Sequence, residues 1–431
     1  MKKGKSIWLR LSAGILILAL LSGCSNSKNI LYNSETQDDQ KEEISLTFFG
    51  FKYEALNVMA IEDALRGYMD AHPNVSISYE GIKGRDYFDV LMKRMSSGNG
   101  DDIFMVDHST LLELLERGYL ADLSDLSSPD NFNQLVKSQM LAREKTDYIP
   151  TSISAFGLYC NLDLLKKHGQ KIPENWNEFR QVCDYFTGKG ITPVVANNDI
   201  SLKTIAIAKG MYPVYHSENP AEEFARFNRG EKDLAETLRP GFELVEQMLQ
   251  RGYIDPQETL HTEKTKDDLV LFAKGEQPFM LTGAWATPRL RELNPDFSFA
   301  VYPYPVLEDG SVLVVNVDTR VCVNADSPHL EEAKQFVGYL TQKDVMWEFV
   351  DSQSSFSPLD ENRLSDEVAV QPIGPYLSNG YSVLGADDNL HYPIWDLTRQ
   401  CVVKMLEGGN AEDAVSLLEE QIISLKEGGT S

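Results

Sequence analysis

Residues 44–118 combine two hydrophobic periods, one typical of strands and the other typical of helices. In ISLTFFGF, the apolar side chains of Ile44, Leu46 and Phe48 recur at every second position, which predicts a strand with one buried face. The stretch EALNVMAIEDALRGYMD then repeats its apolar residues at helical spacing. VSISYEGI and DDIFMVD predict further strands, RDYFDVLMKRMSSG predicts a helix, and so does STLLELLERG, which ends at Gly118. This alternation predicts an open α/β sheet with helices on both faces.

The same alternation begins again after YIPTSISAFGLY. A helix is predicted to begin at Asn161 and to stop at Gly169, and NWNE, Asn175–Glu178, has the form of a capping box that opens another helix. ITPVV predicts a strand, and mainly helical sequence follows to about Gly252. The 408 residues that follow residue 23 are too many for one average domain. We therefore predict two α/β lobes.

Residues 1–43 show neither period. A basic head is followed by the short uncharged stretch LSAGILILALLSG, which is typical of an export signal and too short to span a bilayer, a task that takes about 20 residues. LSGC resembles the lipobox of bacterial lipoproteins, which implies a signal peptide over residues 1–23 and a lipid attached to Cys24. An ordinary secreted protein with a chance cysteine is the alternative. Residues 24–43 are polar without periodicity and predict a flexible tether.

The charge of the chain narrows the class of partner. The formal net charge is −25, and residues 1–23 contain four basic and no acidic side chains, so the predicted mature chain carries −29. A surface this negative repels nucleic acid and anionic lipid, so neither is an expected partner. Lipid rather than charge must then hold the protein at a membrane.

No motif predicts catalysis, a metal site or a cofactor. The sequence lacks GxSxG, HExxH and P-loop patterns, and its 65 acidic residues prevent any carboxylate pair from being singled out as a glycosidase site. DLSDLSSPDNF lacks the glycine and the terminal glutamate of a calcium loop. Cys160, Cys183, Cys322 and Cys401 lie far apart in apolar runs, which predicts buried thiols, although one disulfide among them stays open.

Four stretches, in order, resemble the extracellular solute-binding proteins of the sugar-transport type, family 1. They are SSGNGDDIFMVDHSTLLELLERGYLADLSDL, GLYCNLDLLKKHGQKIPENWNEF, FAKGEQPFMLTGAWATPRL and NADSPHLEEAKQFVGYLTQKD. The second carries Cys160 between Tyr159 and Asn161 and has Asn175 where the family usually has threonine, and the third departs at Pro278 and Phe279. The resemblance covers about residues 44–358.

The resemblance implies the fold of maltose-binding proteins, a two-lobed periplasmic-binding-protein fold of type II. The ligand would lie in a cleft between the lobes, and the chain would pass between them three times. Carried over, lobe 1 comprises residues 44–152 plus 319–355 and lobe 2 comprises 156–313 plus 359–431, with crossings near Thr151–Ala155, Val314–Asp318 and Ser355–Leu359.

A sugar cleft needs aromatic platforms for apolar ring faces and polar groups for hydroxyls. The family match gives Trp285, in LTGAW, a stacking role, and Trp395, in HYPIWDL, lies where relatives often place another platform. Phe156, beside the first crossing, and Tyr381, in SNGYSVLG, are further candidates. Core packing is the alternative role for each of them. The remaining tryptophans after the signal lie on amphipathic helices and are expected in the core.

Residues at strand ends supply the other candidates, because loops at the ends of strands line the cleft of an open α/β sheet. Phe51 and Tyr53 follow the first strand, and Asp107 and His108 end the third. An aspartate there can accept bonds from two sugar hydroxyls. Capping of the next helix is its alternative role.

These expectations describe a lipid-anchored receptor on the extracytoplasmic face of a membrane. We expect a monomer that binds a carbohydrate, an oligosaccharide above all, and delivers it to the permease subunits of an ABC importer. One alternative keeps the fold and replaces the sugar with a polyol phosphate, a polyamine or an iron chelate. Another is a lipoprotein hydrolase or an adhesin.

Overall fold

The computed structural model describes residues 42–126, 131–140, 145–351, 355–360, 365–378 and 381–428. The predicted signal peptide, Cys24 and the tether up to residue 41 lie outside these residues. In the described part of the chain, no helix combines the length and apolar character needed to cross a membrane.

The first sheet has five strands in the order β2-β1-β3-β10-β4. Its strands are β1 (Ile44–Gly50), β2 (Val75–Gly81), β3 (Ile103–Val106), β4 (Ile149–Pro150) and β10 (Arg320–Val323). Strand β1 pairs in parallel with β2 and β3, and β10 runs antiparallel to β3 and β4. The helices joined to this sheet are α1 (Ala55–Ala71), α2 (Arg85–Ser96), α3 (His108–Glu116), α4 (Gln134–Met140), α13 (Leu330–Leu340) and α14 (Lys343–Asp351).

The second sheet has six strands in the order β11-β9-β5-β7-β6, with β8 also paired to β5. Its strands are β5 (Ile153–Asn161), β6 (Val194–Val195), β7 (Phe279–Gly283), β8 (Phe299–Tyr302), β9 (Leu313–Val317) and β11 (Ser382–Leu384). Every residue of β5 is buried, because β7, β8 and β9 all pair with it and helices cover the sheet. It is the central strand of this half of the molecule.

Eleven helices among the described residues accompany the second sheet. They are α5 (Leu162–Lys167), α6 (Trp176–Thr187), α7 (Ser201–Tyr215), α8 (Pro220–Arg229), α9 (Leu234–Gln250), α10 (Pro256–His261), α11 (Asp267–Ala273), α12 (Thr287–Leu293), α15 (Gly374–Ser378), α16 (Ile394–Leu406) and α17 (Ala411–Gly428), with short 3-10 turns at Ala284–Ala286 and Val368–Ile373. The two predicted helix starts are confirmed, since Asn161 and Asn175 accept backbone hydrogen bonds from Leu164 and Glu178.

The chain passes between the two sheets at one place. The backbone N–H of Thr151 donates to Thr319 O at 2.9 Å, and that of Asp318 donates to Ser152 O at 3.0 Å, so two passages lie side by side. Ile153 and Phe356 exchange two further backbone bonds of 2.8 and 2.9 Å. The lobe boundaries given above stay a prediction. The α/β fold itself, with two sheets and flanking helices, is confirmed.

Each half of the molecule has an apolar core. One core surrounds the first sheet and continues onto one face of the second, and the other lies between the opposite face and helices α7, α9 and α16. The four cysteines of the described residues are buried and free, as expected from their apolar surroundings, so no disulfide joins them.

Candidate ligand-binding site

Three predicted aromatic residues lie together beside the central strand of the second sheet. The ring of Phe156, on β5, contacts the indole of Trp285 edge-to-face with ring centroids 5.1 Å apart. It also contacts the indole of Trp395, the second residue of α16, at 4.9 Å. Phe156 is buried, whereas both indoles are half-buried. The cluster therefore presents two partly accessible aromatic surfaces, the kind that packs against the apolar face of a sugar.

Two glycines let these indoles lie against the backbone. A Cβ atom on Gly283 would lie 2.1 Å from the six-membered ring of Trp285, and one on Gly385 would lie 2.4 Å from that of Trp395. Such distances are far inside van der Waals contact, so any side chain at either position would displace the ring. The glycine of the TGAW motif thus positions the tryptophan that follows it.

A buried lysine lies over Trp395. The Nζ atom of Lys203, on α7, is 4.0 Å from the centroid of the indole, and the side chain is only 1% exposed. Asp199 accepts from this ammonium at 2.8 Å and also pairs with Lys264 and, at 3.5 Å, with Arg399. Burial lowers the pKa of Lys203 to about 8, although the charge of Asp199 opposes this change. A cation in this position favours one orientation of the ring.

We expect the fluorescence of Trp395 to titrate with a midpoint near pH 8, because loss of the Lys203 proton removes the charge above the indole. The unfolded chain keeps this proton up to the ordinary pKa of 10.5, so the unfolded state binds more protons between these values. The stability contribution of Lys203 therefore rises with pH across this window. The measurement is the difference in emission between the wild type and Trp395→Phe. The same titration in Lys203→Met would contradict the assignment.

The end of β3 lies against the start of α16. Asp107 is the N-cap of α3 and accepts from the backbone N–H of Thr110 at 2.8 Å. It therefore has the helix-capping role that was the alternative to ligand binding. The Ser109 hydroxyl donates to Asp396, the neighbour of Trp395, at 3.0 Å. Elements of the first-sheet half thus contact the helix that carries Trp395.

His108 belongs to a buried polar cluster centred on Asp388, in the loop between β11 and α16. The Nδ1 atom of His108 is 2.5 Å from Asp388 Oδ1, and the Arg320 guanidinium donates to the same oxygen at 2.8 Å. The hydroxyl of Tyr148 donates to the other carboxylate oxygen, and the Gln139 side-chain oxygen accepts from the Asp388 backbone N–H at 2.6 Å. All five residues are buried. Every one of these partners of Asp388 comes from the first-sheet half of the molecule.

Burial opposes ionisation of Asp388, but the Arg320 guanidinium, together with hydrogen bonds from His108 and Tyr148, holds the pKa of this carboxyl below its ordinary value. The neighbouring Asp387 behaves differently. Burial raises its pKa, and hydrogen bonds from Tyr215 and other groups oppose that rise only in part. An ionised and a more easily protonated carboxyl therefore stand next to each other in this loop.

A further ion pair joins the two halves near the aromatic cluster. The Arg289 guanidinium, on α12, contacts Glu54, just before α1, at 2.8 Å. At the crossing, Lys52 lies 3.6 Å from Asp318. Together with the contacts of Ser109 and His108, these interactions join the two halves of the molecule.

The chain matches a known family of bacterial proteins. The family model for bacterial extracellular solute-binding proteins matches residues 64–373. The chain belongs to this family. The chain is also similar to a multiple sugar-binding protein of Streptococcus mutans, with 22% identity over 364 residues, 83% of this chain and 84% of the relative.

Solved structures agree on the fold of this solute-binding protein. A family 1 extracellular solute-binding protein from Bifidobacterium longum subsp. infantis has a TM-score of 0.71 at 20% identity, covering 89% of this chain and all of the other. A sugar transporter from Bacillus licheniformis, solved in complex with stachyose, has a TM-score of 0.64 at 19% identity, covering 88% of this chain and 98% of the other. The two-lobed fold of type II, with its cleft between the lobes, is thereby confirmed.

Other predicted residues do not join the aromatic cluster of the solute-binding protein. Phe51 packs against Tyr87 and Phe88 at centroid distances of 5.6 and 5.8 Å. Tyr381 is 49% exposed and immediately precedes β11, whereas Gly385, beneath Trp395, immediately follows it. These two positions lie at opposite ends of the strand, so the ring of Tyr381 does not reach the indoles.

Sequence reasoning missed the charged residues of the site. Lys203 lies in SLKTIAIAKG, which also contains Ser201, Thr204 and Lys209, so no local pattern marks Lys203 as the buried charge. Asp388 is 280 residues away from His108 along the chain, and no local pattern indicates that contact.

The solute-binding protein also has a cavity of about 1280 Å³ that is separate from the aromatic cluster. Tyr215, Phe224, Trp347 and Phe356 are among the residues that line it, together with polar groups of α4 and of the segment after Phe356. None of the seven residues predicted to bind ligand is in its lining.

Proposed function

We propose that this solute-binding protein captures a carbohydrate, most suitably an oligosaccharide, and delivers it to an ABC importer. The observation that carries the proposal is the grouping of Phe156, Trp285 and Trp395 beside polar groups of both lobes. Two ring surfaces on one side of the cleft suit a ligand with more than one sugar unit. The multiple sugar-binding relative and the stachyose-bound structural neighbour support the same ligand class.

A thermal-shift screen against a panel of mono- and oligosaccharides tests this proposal. We expect at least one oligosaccharide to raise the melting temperature, because a ligand that binds only the folded state stabilises it by mass action. The same panel should include a polyol phosphate, a polyamine and an iron chelate. Stabilisation by one of these, with no response to any sugar, would show that this solute and not a carbohydrate is the ligand.

A cavity-filling variant distinguishes binding at the aromatic cluster from binding in the 1280 Å³ cavity. Ala221→Trp places a large side chain at an exposed position on the lining of the 1280 Å³ cavity. We expect this variant to bind the sugar that the screen identifies as tightly as the wild type does. Loss of binding in Ala221→Trp, with binding kept in Trp285→Ala, would move the ligand to the cavity.

The lipid anchor is a second part of the proposal, and it rests on LSGC at residues 21–24. We propose that the mature protein begins at Cys24 and is held on the extracytoplasmic face of the membrane by its acyl chains. Two or more acyl chains suffice for stable anchoring. From there, closure of the lobes around the ligand would present a surface to the permease subunits.

We expect Cys24→Ser to abolish lipid attachment without affecting the folded lobes. The thiol forms the thioether to the lipid, and residue 24 precedes both predicted lobes, the first of which begins at residue 44. The measurement is partitioning into the detergent phase of a two-phase extraction, with the melting temperature as control. A Cys24→Ser variant that partitions like the parent would contradict the lipoprotein assignment.

The relatives named above are binding proteins, and we propose that this chain likewise binds without catalysis. The test is incubation with chromogenic glycosides. Release of the chromophore at a rate proportional to protein concentration would instead favour the lipoprotein-hydrolase alternative.

A further inference from the structure

We infer that Asp388 is a positioning residue of the ligand site, which fixes the tautomer of His108 so that its Nε2 atom accepts a hydrogen bond from a ligand hydroxyl. This inference rests on the proposed carbohydrate function and makes it more specific. His108, in the first-sheet lobe, is the hydrogen-bond acceptor, and Asp388, which is 280 residues away along the chain, orients its ring.

The contact with Asp388 determines which ring nitrogen of His108 carries a proton. The 2.5 Å contact between His108 Nδ1 and Asp388 Oδ1 is a hydrogen bond in which one partner must donate. An ionised carboxylate can only accept, so Nδ1 carries the proton. The charge of Arg320, 2.8 Å from the same oxygen, keeps the carboxylate ionised inside the protein. In the neutral imidazole, Nε2 is then left with a free lone pair.

The other ring nitrogen of His108, Nε2, lacks a hydrogen-bond partner among the described residues. His108 is 6% exposed, and among the described residues its Nε2 atom is buried without a hydrogen-bond partner. A buried polar atom without a partner is destabilising, and such atoms are rare in folded proteins. A ligand group that bonds Nε2 would recover this cost only when ligand is bound.

His108 lies on the helix that contacts the N-terminal end of α16. It is the first residue of α3, and the next residue, Ser109, donates to Asp396, which adjoins Trp395. An acceptor nitrogen on the helix that contacts the Trp395 helix is complementary to a sugar, whose hydroxyls donate at the rim of an apolar face. It is not complementary to a group that brings only acceptors, such as a carboxylate at neutral pH. The nitrogen thus favours a ligand that presents a hydroxyl donor.

The groups that face Asp388 define the matched control. His108, Arg320 and Tyr148 contact its carboxylate, whereas the adjacent Asp387 bonds Tyr215 at 2.5 Å and Gln139 at 3.1 Å. No described hydrogen bond joins Asp387 to His108. Asp387→Asn therefore makes the same chemical change one residue away without touching the histidine.

The test is ¹⁵N NMR of histidine-labelled protein, with the His108 signals assigned by their loss in His108→Gln. In the free wild type we expect Nδ1 to be protonated and Nε2 to be bare, and we expect the Nε2 signal to shift when the oligosaccharide found by screening is added. In Asp388→Asn we expect the tautomer preference to be lost and the Kd to rise about tenfold, the size of one hydrogen bond. Asp387→Asn should keep the wild-type tautomer and a Kd within about threefold of the wild-type value.

A proton on Nε2 in the free wild type would overturn the inference and leave the carbohydrate proposal intact. That measurement needs only the His108→Gln variant for assignment, so it decides the question even if Asp388→Asn does not fold. A wild-type Kd in Asp388→Asn would also overturn the inference. Failure of every sugar to bind the wild type would instead overturn the proposed function, and with it the ligand role of His108.

Discussion

Replacing Trp285 with alanine is expected to weaken oligosaccharide binding by about tenfold to over a hundredfold. Stacking on an aromatic side chain contributes about 1–3 kcal/mol, and the half-buried indole of Trp285 is partly accessible to a ligand. The free protein should melt close to the wild-type temperature, because the substitution removes a partly accessible ring. The measurements are calorimetric titration with the sugar found by screening and thermal unfolding without ligand.

Trp347→Ala is the matched control for this experiment. Trp347 is on α14 and only 7% exposed, so its truncation is expected to cost about 3–5 kcal/mol of stability and to leave sugar affinity nearly unchanged. Trp285→Ala should show the opposite pattern. A large fall in melting temperature with wild-type affinity in Trp285→Ala would make Trp285 a core residue, and the stacking role would be wrong.

Arg320→Met is expected to lower the free energy of unfolding by about 3–5 kcal/mol at neutral pH, the typical cost of leaving one buried charge without its partner. The reason is that Asp388 then remains buried without the guanidinium that stabilises its ionised form. The measurement is urea-induced unfolding of the wild type and the variant.

The pH dependence of the free energy of unfolding tests whether Asp388 causes the loss of stability in Arg320→Met. In the wild type its folded pKa lies below the ordinary value, so its contribution is present at neutral pH and is lost as the pH falls through the folded pKa. In the variant, burial without Arg320 raises that pKa above the unfolded value, so acidification favours folding. The stability difference between the two proteins should therefore shrink as the pH falls.

Arg291→Met supplies the comparison. Arg291 pairs with Glu367 at 3.0 Å, but its side chain is partly exposed, so its loss should cost no more than about 1 kcal/mol. Equal losses in Arg320→Met and Arg291→Met would show that the Asp388 cluster has no special role in stability.

The elements with clear periodicity could be predicted from the sequence, and so could part of the site. Alternation identified β1, and capping residues located the starts of α5 and α6 at Asn161 and Asn175. Trp285 and Trp395 were predicted from family-like motifs, and the structure brings both to Phe156. These features are local, since a strand period, a cap or a glycine before a tryptophan is visible within a few residues.

The rest depends on contacts between distant parts of the chain. Tyr381 and Trp395 are only 14 residues apart, yet β11 separates them, and no local signal told which end of that strand faces the cleft. Asp387 and Asp388 form an ordinary acidic pair in the sequence, but burial and different partners give their carboxyls opposite pKa shifts. Only the packed structure shows which charge meets Arg320.

A crystal structure of the protein with the oligosaccharide identified by screening tests the central claim most directly. The account predicts sugar rings in van der Waals contact with Trp285 and Trp395, and a ligand hydroxyl within hydrogen-bond distance of His108 Nε2. Ligand bound instead in the cavity lined by Tyr215 and Phe224, with both indoles uncontacted, would contradict it.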